Sequence, residues 1–158
     1  MLIGGAGDDR LDGGTAQGDE VDQLYGGAGN DTLDGLGGAD TLAGGLGDDL
    51  YTVRDLGDVL DERSGEGRDT VIVAVEGYTV GSHVEQVRLA ASIVEARGGG
   101  TDNEMLGNAL GNRLLGGGGD DTLDGRGGDD TLEGGDGAEQ LEGGAGADVM
   151  VGGTDGDL

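Results

Sequence analysis

The chain has 158 residues, 41 of them Gly, and neither Trp, Phe nor Cys, which excludes an aromatic core and a disulfide framework. Eight basic residues against 34 acidic ones leave a formal net charge of −26, which argues against nucleic acid or anionic membranes as partners, since both call for clustered Lys and Arg. By composition alone, so many glycines and so much like charge favour a disordered, solvated chain. No window holds the 18 or so apolar residues of a transmembrane helix, and Met1-Leu2-Ile3-Gly4-Gly5 lacks the charged and apolar regions of a secretory signal.

In chain order, nine-residue units begin at once. Leu2 fills the apolar slot of a preceding unit, and units then run Gly4 to Asp12, Gly13 to Tyr25, Gly26 to Asp34, Gly35 to Ala43 and Gly44 to Thr52. Glycines cluster at the first, second and fourth places, an acid stands sixth and an apolar residue eighth. The second unit is longer, with Thr15 to Val21 predicted to bulge outward as a loop. Leu36 replaces a glycine in the fourth unit. In the fifth, Tyr51 fills the apolar slot and is expected to close this end of the core.

From Val53 to Arg97 the period disappears and the composition shifts toward Val, Glu and Arg, so two to four longer strands are expected. Candidates are Thr70 to Val75, with Val71, Val73 and Val75 on one face, then Tyr78 to Val80 and Val84 to Leu89. The acids between Asp55 and Glu66 read as a solvated face, and His83, the one histidine, as a strand residue without chemistry. Tyr25, Tyr51 and Tyr78 read as packing residues. Imperfect units resume at Gly98 to Leu106 and Gly107 to Leu115, with Asn103 and Asn112 at the acid place. The pattern is strong again in GGGGDDTLD, GRGGDDTLE, GGDGAEQLE and GGAGADVMV from Gly116 to Val151. Three segments follow: 1–52 and 98–158 as repeat blocks, and 53–97 as a strand-rich connection.

One apolar residue in nine is too sparse for a helix stripe. A stretch such as Thr122-Leu123-Asp124 forms a short strand with only Leu123 facing inward, because successive side chains alternate between faces. The glycine-rich remainder is the turn, since Gly enters positive φ without steric penalty. An Asp closing that turn sits beside several backbone carbonyls, and all-oxygen clusters suit Ca²⁺. Calcium neutralises the acids and cross-links the turns, so that binding free energy becomes folding free energy. A metal-free chain is expected to be disordered.

Both repeat blocks resemble the RTX (repeats-in-toxin) family of calcium-binding proteins. The middle segment is similar to the connection between blocks in many such proteins, through Tyr51-x-Val53, the region of Gly57, Asp58 and Val59, Glu62, Gly67-x-Asp69-Thr70-Val71, Tyr78-Thr79-Val80 and Val84-Glu85-x-Val87-x-Leu89, with His83 where family members often carry Asn. The resemblance implies an all-β fold, a parallel β-roll with two nonapeptides per turn and several Ca²⁺ ions held between loops two units apart.

By the same resemblance, one loop offers oxygens of its first, third and fifth residues: Gly4, Ala6 and Asp8; Gly26, Ala28 and Asn30; Gly125, Gly127 and Asp129; and the fifth residues Asp48 and Asp120. The neighbouring loop offers carbonyls of its second and fourth residues, as in Gly27 and Gly29, Gly45 and Gly47, Gly117 and Gly119, and Gly144 and Gly146. Its sixth residue adds a side-chain oxygen. Asp9, Asp31 and Asp49 are expected on one edge of the first block, Asp22 and Asp40 on the other. In the second block Asn103, Asp121 and Glu139 face one way, and Asn112, Asp130 and Asp148 the other.

Members of this family are generally exported by type I secretion from Gram-negative bacteria, without a cleaved N-terminal signal, and fold outside. The chain then reads as a piece of a longer secreted protein whose neighbouring domains are its partners. No nucleophile and base pair, His-Glu-x-x-His or other catalytic constellation stands out. A calcium-dependent structural or binding module is expected, an adhesin segment included. The alternative is an auxiliary part of an extracellular enzyme such as an RTX-bearing metalloprotease, lipase or alginate epimerase.

Overall fold

A computed structural model describes residues 1–14 and 20–153, and every regular element in them is a β-strand. The first six are β1 (Leu2–Ala6), β2 (Arg10–Asp12), β3 (Gln23–Ala28), β4 (Thr32–Asp34), β5 (Thr41–Leu46) and β6 (Leu50–Val53). Five more occupy the middle: β7 (Val59–Leu60), β8 (Thr70–Val73), β9 (Tyr78–Thr79), β10 (Gln86–Leu89) and β11 (Glu95–Arg97). The last are β12 (Glu104–Leu106), β13 (Arg113–Gly118), β14 (Thr122–Asp124), β15 (Thr131–Asp136), β16 (Gln140–Glu142) and β17 (Val149–Gly153). With no helix, nothing among the described residues is a helix long and apolar enough to cross a membrane.

Every pairing is parallel and joins strands two places apart in sequence. The even strands form one eight-stranded sheet from β2 to β16, and the odd strands form two sheets, β1-β3-β5-β7 and β9-β11-β13-β15-β17. The chain is therefore a two-sided parallel β-roll of about eight turns, each turn holding one odd and one even strand. Parallel strands need both faces managed. Here each sheet covers the inner face of the other, and the outer faces are mixed, with Thr, Asp, Glu and Arg beside apolar residues such as Ile72, Leu106 and Leu115.

Most repeat strands give the core a single side chain from their middle, whereas β6, β8 and β10 each bury two, Tyr51 and Val53, Val71 and Val73, and Val87 and Leu89. In Arg10–Asp12 only Leu11 is buried, and Leu24, Leu33, Leu42, Leu114, Leu123 and Leu132 are fully buried. Like stacks on like through the register: Leu24 on Leu42, Leu33 on Tyr51, Met105 on Leu123. Burying each such side chain contributes about 1.5–3 kcal/mol relative to leaving it exposed. The turns between strands depend on glycine where the coil is tightest. Gly27 and Gly135, each second in a unit, have φ of 120°, and a Cβ there would collide with the carbonyl oxygen of Gly5 or Gly117 in the turn below. Leu36 and Arg126 hold this second place with φ of 70°, a left-handed conformation costly for side chains with a Cβ.

The middle segment differs from its sequence reading. It carries five strands of two to four residues, not two to four longer ones, and the even sheet runs through it without a break. The period survives in the apolar slots although the glycines are lost. Leu42 pairs with Leu60, Tyr78 with Ala96 and Ala96 with Leu114, each at the eighteen-residue spacing of one full turn. Tyr51 does not end the core: Val71, Val87 and Met105 continue its column. Asp58 and Glu62 are buried, not part of a solvated face, because both turn inward to accept backbone N–H groups. His83 lies in a turn, not a strand, with φ of 68° and its N–H directed at Thr101 Oγ1. The odd sheet does break, between β7 and β9, where the Tyr78 hydroxyl donates to the Asp58 carbonyl at 3.0 Å. Of the surplus loop expected at Thr15 to Val21, residues 15–19 lie outside the described residues, and Val21 is exposed.

Candidate metal centre

The sixth-place residues form two rows, one along each edge of the roll. On the edge leading into the even strands, the Asp9 N–H donates to Asp31 Oδ1 at 2.7 Å, Asp31 N–H to Asp49 Oδ1 at 2.7 Å and Asn103 N–H to Asp121 Oδ1 at 2.8 Å. Glu139 stands next in this row, buried. On the opposite edge, Asp22 N–H donates to Asp40 Oδ1 at 2.8 Å, Asn112 N–H to Asp130 Oδ1 at 2.6 Å and Asp130 N–H to Asp148 Oδ1 at 3.0 Å. Each carboxylate thus spends one oxygen on the backbone of the loop one full turn back. Sequence neighbours Asp121 and Asp130 sit on opposite edges, because every half turn reverses the side.

The second oxygen has no such partner. Oδ2 of Asp9, Asp31, Asp40, Asp49, Asp121 and Asp130 is buried and accepts no hydrogen bond. Each points back over its own loop toward the first glycine. A Cβ at Gly4, Gly26 or Gly125 would meet this oxygen, and at Gly26 and Gly125 it would also lie 2.7 and 2.8 Å from the carbonyl oxygens of Gly44 and Gly143 in the next turn. Buried oxygens without a donor are costly. Burial pushes the Asp49 and Asp121 carboxyl groups up to about 6 and raises Asp40 as well, even though a backbone N–H on each works the other way. A row of buried carboxylate oxygens beside inward-facing carbonyls fits a hard divalent cation, which would neutralise the one and draw on the other.

The remaining expected residues take consistent places. Gly27, Gly45, Gly117 and Gly144, second in their loops, and Gly29, Gly47 and Gly146, fourth, each leave room for a carbonyl group of the turn below that a Cβ would strike. Gly119 sits instead against the Asp102 N–H. Ala6 pairs with Ala28, and Gly127 bridges to Ala145. The fifth-place residues make a second, outer row of reversed polarity. Asn30 N–H donates to Asp8 Oδ1, Asp48 N–H to Asn30 Oδ1, Ala138 N–H to Asp120 Oδ1 and Ala147 N–H to Asp129 Oδ1. All four acceptors are exposed.

Three sixth-place residues depart from the Asp pattern. Asn103 donates from Nδ2 to the Val84 carbonyl at 2.7 Å and accepts at Oδ1 from Gly99 N–H. Asn112 donates to the Ile93 carbonyl and accepts from Asn108 N–H, so both amides are satisfied by the chain itself. At Glu139 the extra methylene fills the place where an Asp carboxylate would lie over Gly134. Its Oε1 and Oε2 reach on toward Gly137 and Gly153.

Sequence reading missed three members of these rows and one buried acid beside them. Asp58 follows Asp40, accepting its N–H at 3.1 Å, and Asp69 follows Asp49, accepting its N–H at 2.8 Å. Glu85 Oε2 accepts from Asp69 N–H at 2.9 Å, and Glu62 is buried beside Asp69. A count of eighteen from Asp40 finds Asp58. Counts of twenty and then sixteen are needed for Asp69 and Glu85, because the turn before β8 is longer and the next one shorter.

Among the described residues, no three His, Asp or Glu side chains close on one point as a ready-made metal cage. An ion here must take most of its oxygens from the backbone, as glycine-rich loops allow. No curated protein and no solved structure matches the chain. The family model for the RTX calcium-binding nonapeptide repeat matches in four copies, over residues 1–16, 17–51, 106–138 and 130–158. Those spans exceed half the chain, and their family is defined by calcium-binding repeats of a structural, not catalytic, kind. The chain belongs to the RTX family of calcium-binding nonapeptide-repeat proteins.

Proposed function

We propose that this chain is a calcium-folded structural or binding module of a secreted protein, with ions seated between loops two units apart on both edges of the roll. The observation that carries this reading is the repeated buried Asp Oδ2 without a donor, set against carbonyls of the adjacent turn. Asp31 with Asp49, Asp22 with Asp40, and Asp130 with Asp148 supply the carboxylates of neighbouring loops. First-, third- and fifth-place oxygens of one loop and second- and fourth-place carbonyls of the next complete each shell. The satisfied Asn103 and Asn112 amides make theirs the weaker positions.

The net charge of −26 and the 41 glycines leave a metal-free chain with little reason to fold, so folding follows export from a low-calcium cytoplasm to a calcium-rich exterior. Type I secretion from a Gram-negative cell, attachment to a longer parent and a supporting role beside its other domains accord with family behaviour. Extracellular calcium modules bind at about 10⁻⁴ to 10⁻³ M. Far-ultraviolet circular dichroism should therefore show a disordered chain in EDTA and a cooperative gain of β structure in that calcium range. Equal β content with and without calcium at neutral pH would refute the proposal.

A further inference from the structure

Glu62 and Asp69 lie outside the residues that the repeat model matches, in the turn from β7 to β8. The hydrogen bonds of this turn fix its register on the loop below. Asp61 N–H donates to the Leu42 carbonyl, and the Glu66 carbonyl accepts from Gly47 N–H. Glu62 therefore stands over Gly44, the first residue of its unit, and Asp69 stands over Asp49. The turn repeats the plan of a nonapeptide loop, with a carboxylate side chain where the repeats have glycine. In the repeats a Cβ at this place collides with the Asp carboxylate. The twenty-residue spacing from Asp49 to Asp69 gives the room that Glu62 needs.

Glu62 Oε1 accepts from the Tyr51 hydroxyl and from Gly44 N–H. Its Oε2 is buried and has no donor, and the same holds for Asp69 Oδ2. Glu62 is 8 % exposed and Asp69 1 %, and the two carboxyl groups lie within hydrogen-bonding reach of one another. The nearby guanidinium groups are engaged elsewhere, Arg63 with Glu66 and Arg68 with Glu104. Two buried carboxylates face each other with no positive charge between them.

We propose that Glu62 and Asp69 together clamp a divalent cation of the calcium class, forming an ion site in the connecting turn outside the nonapeptide repeats. This rests on the reading that ions lie between successive loops, and adds a site in which two carboxylates of one turn meet the ion. Affinity in oxygen-ligand sites rises with the count of charged ligands, so this site fills before the single-carboxylate loops. It ties β6 to β8 at the junction where the glycine pattern is interrupted, and makes the continuity of the even sheet depend on calcium.

Tyr51 provides a probe, because its hydroxyl donates to Glu62 Oε1 and its ring can sensitise a lanthanide bound there. Terbium titrated into the full chain and excited through tyrosine should give emission that Tyr51→Phe removes in large part. Glu62→Gln should lower the count of bound calcium by one per chain and should remove the same emission. If Glu62→Gln fails to fold, Tyr51→Phe decides alone: emission undiminished by that change overturns the site. An unchanged calcium count and emission in folded Glu62→Gln also overturns it and leaves the repeat sites standing, as does a change confined to acid titration in chelator, which would mean a shared proton in place of a metal. Failure of the wild-type chain to bind calcium or terbium at all would instead remove the proposed function itself.

Discussion

Acid should stabilise the calcium-free roll. Asp49 and Asp121 are buried beside neighbouring acids and carry pKa values pushed up to about 6, against an unfolded value of 3.8. A group whose pKa is higher in the folded state binds protons more tightly there, so its stabilisation is complete below the unfolded value and is lost as pH rises through about 6. Between pH of about 7.5 and about 5, each such group favours the folded state by roughly 1.4 kcal/mol, or about 3 kcal/mol for the two. Glu62, raised to about 8 by burial and by Asp69, and Asp69 itself, raised chiefly by burial, act in the same direction. Protons thus do part of what calcium does, neutralising oxygens that have no donor. In EDTA, circular dichroism should show β structure growing as pH falls through about 6, with sedimentation confirming a monomer. A monomeric chain equally disordered at both ends of that range would refute the link between the buried oxygens and the need for metal.

Leu132→Ala should cost about 2–5 kcal/mol, because a fully buried side chain leaves a cavity in a one-residue-wide core, and should move the calcium midpoint of folding upward. Leu36→Gly and Arg126→Gly should each stabilise the calcium-loaded roll by roughly 0.5–1 kcal/mol, since relief of the left-handed strain exceeds the entropy of glycine; differential scanning calorimetry would read this as a rise in melting temperature. Glu139→Asp should tighten calcium binding on its edge by returning the carboxylate over Gly134, while Asp148→Glu should loosen the opposite edge, both measured by calorimetric titration. Mg²⁺ should fold the chain poorly, because it demands smaller octahedral shells and gives up water reluctantly.

Much of this architecture was legible in the sequence because the glycine, acid and apolar places of the nonapeptide have separate physical jobs. Leu123 between Thr122 and Asp124 had to face inward, and Gly125 with Asp130 had to form the turn. What stayed hidden lay in 53–97, where structure is kept by a weaker signal. Leu60, Tyr78 and Ala96 hold the apolar slot at eighteen-residue spacing, but without flanking glycines they look like members of unrelated strands. Asp58 and Glu62 looked solvated because charge alone does not tell which carboxylates accept backbone N–H groups. Glu62 needed the longer turn before β8 to reach the interior, and turn length becomes meaningful only when the register on either side is known.

A crystal structure of the calcium-loaded chain, with ions located by anomalous scattering, tests the central claim most directly. Metals should lie between loops two units apart, joining the loops of Asp31 and Asp49 on one edge and of Asp130 and Asp148 on the other, each in contact with the Asp Oδ2 that otherwise has no donor. Metals bridging the sequence-adjacent loops of Asp121 and Asp130, or loops left empty at saturating calcium, would contradict it.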